Sequence, residues 1–253
     1  MRAQTGTAAF RVLGARMLAP WHRPEGRAGR RFPAVLFLHG FPGAEKSVDV
    51  QRALLRRGVA SVAPRFLGAW GSGGTYRFTT LVAQARAALR AARRLDFVDP
   101  RRVAVYGFSM GGWTALNLGA REPRLKAVAA VSPAGGPEML GPATRRFLAT
   151  HSRVLNAPGP DALLADFRLA LSRFDPARAV PRLKAPLLLA HGDADETVPV
   201  EVSRRLARLA RGPVRLVVAR GADHSWLDRR ERLARLCADW LAARLGAGPG
   251  RKH

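Results

Sequence analysis

The chain has 253 residues, of which 47% are hydrophobic, so it is not disordered as a whole and can bury a substantial core. No apolar run approaches the roughly 20 residues of a membrane-spanning helix, and the N-terminal residues lack the pattern of a secretory signal. The single cysteine, Cys237, excludes an internal disulfide. We therefore expect a cytoplasmic protein without membrane contact, whose unusual feature is a net charge of +25 from 43 Lys and Arg against 18 Asp and Glu.

The positive charge has two interpretations. A field of this sign attracts nucleic acid and other anions. The arginines, however, recur at helical spacing, as in Arg86, Arg90 and Arg94, which is typical of solvated helix faces. No nucleic-acid-binding motif is present, so we expect no specific nucleic-acid partner. A non-catalytic basic binding protein remains the alternative from another functional class.

Apolar runs alternate with helical patterns in the first half of the chain. In order, the sequence predicts one or two antiparallel edge strands within 8–20, a basic loop through Arg31, a buried strand at 33–38, a helix at 47–57, a second buried strand at 59–64, a glycine-rich loop at 68–74 and a long helix at 79–95. The continuous apolar strands are typical of strands covered on both faces.

A strand at 102–106 leads directly into the motif Gly107-Phe108-Ser109-Met110-Gly111, and a helix follows at 113–120. On such a strand-to-helix turn the serine is held in a strained conformation with its hydroxyl exposed, and the two glycines avoid collisions with neighbouring elements. The pattern predicts that Ser109 is a nucleophile. It is short enough to occur by chance, so the rest of the chain has to support it.

The alternation is interrupted once in the second half of the chain. After a strand at 125–131, the region 132–181 is rich in proline and glycine at its start and then contains helical pieces such as 162–174. We expect a helical lid, inserted into a single domain that spans 1–253. The order then resumes with a strand at 186–190, a helix at 200–210, a strand at 214–218 and a final helix at 226–245. This alternation predicts an α/β fold with a mostly parallel sheet and helices on both faces.

A serine nucleophile needs a base and a carboxylate that orients the base, and in an open parallel sheet both come from strand-end loops. The loop after the strand at 186–190 contains His191, Asp193 and Asp195, and the loop after the last strand contains His224. The resulting order of serine, acid and histidine is that of α/β-hydrolases.

At these positions the chain resembles the α/β-hydrolase superfamily, and most closely its prolyl-oligopeptidase-like and dienelactone-hydrolase-like serine hydrolases. The resemblance covers about 31–245 apart from the insertion. It rests on His39-Gly40, Gly71-Ser72-Gly73-Gly74, Asp99-Pro100, Gly107 to Gly112, His191-Gly192 with Asp195 and Val198-Pro199, and Gly221 with His224. Two features depart from the families: dienelactone hydrolases have cysteine at the nucleophile, and large oligopeptidases have a propeller that this length cannot contain.

The resemblance implies a catalytic role for each of three residues. Ser109 is the expected nucleophile and His224 the expected base. Asp195 is favoured as the acid because the family's acid lies three residues before the valine at 198. Asp193 is then expected to stabilise its turn, and His191 to support its loop.

Two backbone N–H groups are expected to form the oxyanion hole, those of Phe41 and Met110. Phe41 is the natural donor because Pro42 has no N–H, and His39 belongs to the same turn. Trp70 and Tyr76 flank the glycine-rich loop. They are expected either to line the substrate pocket or to pack in the core.

Together these features predict a carboxylesterase-like serine hydrolase that forms an acyl-enzyme and uses neither metal nor organic cofactor. Its expected partner is a small-molecule ester. A short peptide or acylaminoacyl substrate is the alternative, and a thioester would use the same groups. Arginines of the insertion, such as Arg145 and Arg146, either favour an anionic substrate or cover solvated helix faces. The oligomeric state is not predicted.

Overall fold

The computed structural model describes residues 3–27, 29–43 and 47–247. Eight strands form its central sheet: β1 (Ala3–Val12), β2 (Ala15–Pro24), β3 (Phe32–Leu38), β4 (Ala60–Val62), β5 (Val98–Phe108), β6 (Val128–Val131), β7 (Leu187–Gly192) and β8 (Val214–Ala219). Their spatial order is β1-β2-β4-β3-β5-β6-β7-β8. β2 pairs antiparallel with β1 and β4, and all the other pairs are parallel. The predicted mostly parallel sheet is confirmed.

The helices are α1 (Val48–Leu55), α2 (Leu81–Ala92), α3 (Met110–Gly119), α4 (Thr144–His151), α5 (Pro160–Arg173), α6 (Pro176–Ala179), α7 (Glu201–Leu209) and α8 (Arg230–Arg244). They cover the sheet from both sides, as predicted. Leu36 of β3 packs into a cluster with α2, α3 and α5, whereas the adjacent Phe37 packs into a second cluster with α1 and α8. This alternation explains why the central strands are apolar at every position. Cys237 is buried in the second cluster, as expected of a core residue.

The N-terminal hairpin is longer than predicted. β1 and β2 pair along their whole length, and Leu13 and Gly14 form the connecting turn with φ of 48° and 80°. Two consecutive positive φ values are typical of the two-residue turns that match strand twist. Part of the predicted basic loop therefore belongs to β2. Alternating burial along a strand of small residues gives a weak hydrophobic signal, which is why the sequence underestimates β1.

The insertion between β6 and β7 contains α4, α5, α6 and three short 3₁₀ turns. It is fixed to the main body through the buried Asp166 of α5. One oxygen of this carboxylate accepts the N–H of Phe78 at 2.6 Å, and the other accepts the hydroxyl of Thr79 at 2.5 Å. The helical character of the segment agrees with the prediction, and its role as a lid stays a prediction.

Charged side chains lie mainly on the outer helix faces. Arg86 and Arg90 are exposed on α2, and Arg94 is exposed just after its end, as their spacing indicated. Arg86 and Arg93 both contact Glu122. The last helix begins at Arg230, later than predicted, because a short 3₁₀ turn precedes it. Across 3–27, 29–43 and 47–247, no helix is both long and apolar enough to cross a membrane.

Candidate active site

Ser109 occupies the turn between β5 and α3. Its φ of 54° and ψ of −120° lie outside the regions that L-residues prefer. The N–H of Ser109 donates to Val131 of β6 at 2.9 Å, and its carbonyl accepts the N–H of Trp113 at 3.0 Å. These bonds tie the turn to the sheet and to the helix, so the surrounding structure maintains the strained conformation.

The two glycines of the motif are required by close backbone approaches. A Cβ at Gly107 would overlap with the carbonyl of Gly111, and a Cβ at Gly111 would overlap with the carbonyl of Leu38. Gly40 approaches from the end of β3, where an added Cβ would lie 3.1 Å from the Cβ of Ser109. The C-terminal turns of the adjacent parallel strands β3 and β5 therefore come into contact at Ser109.

His224 lies within hydrogen-bonding distance of both Ser109 and Asp195. Nε2 of His224 is 3.1 Å from Oγ of Ser109, and Nδ1 of His224 is 2.7 Å from Oδ2 of Asp195. Because the carboxylate accepts from Nδ1–H, Nε2 is left with the lone pair that faces the serine hydroxyl. The side chain of Asp195 is fully buried, and that of His224 is 17% exposed.

The Asp195 carboxylate accepts four hydrogen bonds. Oδ1 accepts the backbone N–H groups of Thr197 and Val198 at 2.9 and 2.8 Å, and Oδ2 accepts from His224 and His191. Burial alone would raise the pKa of Asp195, but the bonds from His191, His224 and the N–H of Val198 outweigh it and hold this pKa well below its usual range. The carboxylate is therefore ionised at neutral pH and fixed in orientation.

His191 supports Asp195 directly, which goes beyond the predicted support of its loop. Its Nε2 is 2.9 Å from the carbonyl of Val198 and 3.1 Å from Oδ2 of Asp195, and its Nδ1 is 2.7 Å from Oγ of Ser203. A carbonyl can only accept, so Nε2 carries the proton and Nδ1 accepts from the serine. The side chain is fully buried. The spacing of four residues between His191 and Asp195 is the one sequence signal for this contact.

Asp193, the other candidate acid, connects the two loops instead. Its Oδ1 accepts the N–H of Gly221 at 2.6 Å. This contact stabilises the turn, as expected, and holds the acid loop against the loop that carries His224.

A second support for His224 was not foreseen. Oγ of Ser132, directly after β6, donates to the carbonyl of His224 at 3.2 Å and accepts the indole N–H of Trp226 at 3.2 Å. Ser132 itself has a φ of 42° and is buried. No sequence motif indicates the contact between Ser132 and Trp226, because these two residues are 94 positions apart.

The two expected oxyanion donors border Ser109. Met110 is the first residue of α3, so its N–H has no partner within the helix. Phe41 follows Gly40, whose carbonyl accepts a hydrogen bond from Nδ1–H of His39 at 2.8 Å, while Nε2 of His39 accepts one from the N–H of Phe66. Holding the Gly40 carbonyl also orients the N–H on the other side of the same peptide plane. Their role as an oxyanion hole stays a prediction.

A cavity of about 620 Å³ adjoins Ser109. Aromatic and other apolar side chains form most of its wall, and they include Phe41, Phe78, Phe108, Phe147 and Phe167. The insertion contributes one side, from Met139 through α4 to Phe167. The cavity therefore lies between the C-terminal edge of the sheet and the inserted helices.

Trp70 and Tyr76 lie behind this wall. The indole N–H of Trp70 donates to the carbonyl of Pro42 at 2.9 Å, and the buried ring of Tyr76 packs 5.7 Å from Phe41 and 5.3 Å from Phe78. Burial raises the pKa of Tyr76 above its usual range, so the phenol stays neutral. Neither residue is among the described residues that line the cavity. The structure thus favours their alternative role, packing, over direct contact with substrate.

Comparisons with known proteins place the chain among hydrolases. The sequence profile of the prolyl oligopeptidase family matches residues 47–248. An uncharacterised protein of Mycobacterium tuberculosis is 28% identical over 210 residues, 82% of this chain and 68% of that protein.

Two solved structures illustrate the shared fold. Est1E from Butyrivibrio proteoclasticus with bound ferulic acid superposes with a TM-score of 0.76 at 22% identity, over 94% of this chain and 99% of Est1E. A puromycin-hydrolysing peptidase of M. tuberculosis superposes with a TM-score of 0.75 at 24% identity, over 94% of this chain and 40% of that one. At these identities the likeness concerns the fold.

Proposed function

Because the chain belongs to the prolyl oligopeptidase family, a hydrolase family with the α/β-hydrolase fold, we propose that it cleaves carboxylic esters as a serine hydrolase. The observation that carries the proposal is the continuous hydrogen-bonded path from Ser109 through His224 to Asp195. A buried ionised carboxylate, a histidine of defined tautomer and a serine on a strained turn are the parts that acyl transfer requires.

In the proposed mechanism His224 removes the proton of Ser109 as Oγ attacks the ester carbonyl. The N–H groups of Phe41 and Met110 stabilise the oxyanion that forms. His224 then returns the proton to the departing alcohol, which leaves an acyl group on Ser109. Water attacks this acyl-enzyme with His224 again acting as the base, and the carboxylic acid is released.

An ester is favoured over a peptide by the composition of the cavity wall. A peptide carries additional amide donors and acceptors, which lose their water partners on binding and need replacements. The wall beside Ser109 is mainly aromatic and aliphatic and supplies few such groups. The family match favours peptide hydrolysis as the second candidate, and a thioester would be attacked by the same groups.

Labelling with a fluorophosphonate tests the nucleophile. We expect covalent modification of the wild type and of Ser172→Ala, an exposed serine of α5, and none of Ser109→Ala. Labelling that survives in Ser109→Ala would contradict the assignment. Tight, steeply salt-dependent binding of nucleic acid without any labelling would instead support the basic binding protein.

The rates on p-nitrophenyl esters and aminoacyl p-nitroanilides separate the two hydrolase candidates. We expect kcat/KM for the esters to exceed that for the anilides by far more than their difference in intrinsic reactivity. Anilide turnover comparable to ester turnover would replace the esterase proposal with the peptidase.

A further inference from the structure

The cavity beside Ser109 differs in charge from the rest of the protein. The whole chain has 43 basic residues, yet none of the described residues that line the cavity is Lys or Arg. Glu196, one residue after Asp195 and exposed at the rim, supplies the one carboxylate among them. The described part of the cavity wall therefore carries one carboxylate and no guanidinium or ammonium group, and its basic groups are the imidazoles of His151 and His224.

Two arginines of the insertion make contacts away from the cavity. Arg145 lies on α4 between Thr144 and Phe147, which both line the cavity, but its guanidinium binds the carboxylate of Asp161 in bidentate fashion at 2.5 and 2.9 Å. Arg173 of α5 packs over the ring of Phe174, 5.5 Å from its centroid. Neither arginine lines the cavity, so the expected alternative of arginines that attract an anionic substrate finds no support here.

An anionic group in this cavity would lose its water without gaining a Lys or Arg partner among the described lining residues. The neighbouring rings of Phe78 and Phe167, 4.6 Å apart, offer only hydrocarbon and π faces, and the negative faces of aromatic rings repel an anion. Burying an unpaired carboxylate is among the most unfavourable changes in protein chemistry, whereas a neutral apolar chain gains from leaving water. Glu196 adds like-charge repulsion at the rim.

The acyl group is the part of an ester that stays at Ser109, beside this cavity, through both steps of the reaction. It stays bonded to Ser109 through the acyl-enzyme stage, while the alcohol leaves after the first step. We propose that the site hydrolyses esters of neutral, apolar acyl groups and excludes anionic ones, and that Glu196 contributes to this selection. The inference rests on the proposed ester hydrolysis and narrows its substrate class.

Three p-nitrophenyl esters of similar acyl length test the selection: the heptanoate, the adipate half-ester with a terminal carboxylate, and the ω-trimethylammoniohexanoate with a terminal cation. All three release the same phenol, so differences in kcat/KM report on the acyl group alone. We expect the adipate half-ester to be hydrolysed on the order of 100-fold less efficiently than the heptanoate, because its carboxylate is desolvated beside a mainly apolar wall without a Lys or Arg partner among the described residues. The cationic ester is expected to lie between them.

Glu196→Gln and Glu196→Lys test the contribution of the rim. We expect the lysine variant to raise the adipate-to-heptanoate ratio of kcat/KM by about fivefold, and the glutamine variant by less, as a partly solvated charge pair allows. Glu231→Gln and Glu231→Lys are the matched controls. Glu231 is an exposed acid of α8 that pairs with Arg235, so changing it alters net charge without altering the cavity. Both controls are expected to keep the wild-type ratio.

The outcomes distinguish this inference from the function on which it rests. Equal or better hydrolysis of the adipate half-ester would overturn the selection while leaving ester hydrolysis intact. A ratio that changes equally in the Glu196 and Glu231 variants would show that net charge, and not the cavity, governs it. If no ester is hydrolysed in a Ser109-dependent way, the proposed function itself fails.

Discussion

Replacing Asp195 with asparagine tests which carboxylate orients His224. The backbone N–H groups of Thr197 and Val198 both donate to Oδ1, so the amide oxygen of an asparagine has to occupy that position. Its NH₂ group then faces Nδ1 of His224 and Nε2 of His191 in place of Oδ2. Two donors cannot face each other, so His224 has to accept at Nδ1 and carry its proton on Nε2. In that tautomer it cannot accept the proton of the serine.

We expect Asp195→Asn to lower kcat on the order of 10,000-fold at neutral pH, the loss associated with the wrong histidine tautomer in such a site. That factor corresponds to about 5.5 kcal/mol of transition-state stabilisation. Asp193→Asn is the matched control. Its amide oxygen can still accept the N–H of Gly221, so kcat should stay within about threefold of the wild type. The assay is steady-state hydrolysis of p-nitrophenyl heptanoate, with circular dichroism to check that both variants are folded.

Two results would refute this reasoning. If a folded Asp195→Asn variant keeps kcat within about tenfold of the wild type, the carboxylate does not set the tautomer of His224. If Asp193→Asn loses as much activity as Asp195→Asn, both carboxylates of the loop are needed for activity, and the orientation of His224 cannot be assigned to Asp195 alone.

Replacing His191 with leucine removes one donor to Asp195 and leaves the Val198 carbonyl and the Ser203 hydroxyl without this partner. We expect kcat to fall about tenfold, and urea titrations to give a free energy of unfolding about 2–4 kcal/mol lower. An unchanged kcat and an unchanged free energy of unfolding would argue against the contact. Gly111→Ala places a Cβ on the Leu38 carbonyl and should abolish activity and lower Tm, whereas Gly159→Ala, with open space around it, should leave both nearly unchanged. Hydrogen bonds lower the pKa of Asp195 in the folded state. The ionised carboxylate therefore stabilises the fold above the unfolded-state pKa of about 3.9, and this stabilisation is lost as the pH falls below that value. The difference in unfolding free energy between the wild type and Asp195→Asn should narrow in that acid range, and a constant difference would exclude the linkage.

Much of the site was predictable because its residues stand next to strands that the sequence marks clearly. Runs such as 33–38 and 186–190 are apolar at every position, which indicates strands buried on both faces, and the loops that follow them come together at one edge of a parallel sheet. Gly107 and Gly111 are a second local signal, since a Cβ at either position would overlap with backbone.

The supporting contacts carried no comparable signal. Ser132 and Trp226 are 94 positions apart, and their hydrogen bond depends on how β6 and the loop after β8 are packed. Trp70 and Tyr76 flank the glycine-rich loop in the sequence, which suggested contact with substrate. The structure instead places both side chains behind the residues that line the cavity. Whether an aromatic side chain faces a cavity or the core depends on rotamer and packing, which local sequence patterns do not encode.

The sequence by itself determined the alternation of strands and helices, the turn at Ser109 and the order of serine, acid and histidine, because each depends on residues that are neighbours in the chain or on the regular geometry of a parallel sheet. The tertiary structure alone decided what lines the cavity, which side chains support the Asp195 carboxylate and which groups the arginines contact. Those features arise from side chains that meet only after the sheet and the insertion have packed together. The charge of the chain is a sum over its residues, whereas the charge of its cavity depends on which of them face inward.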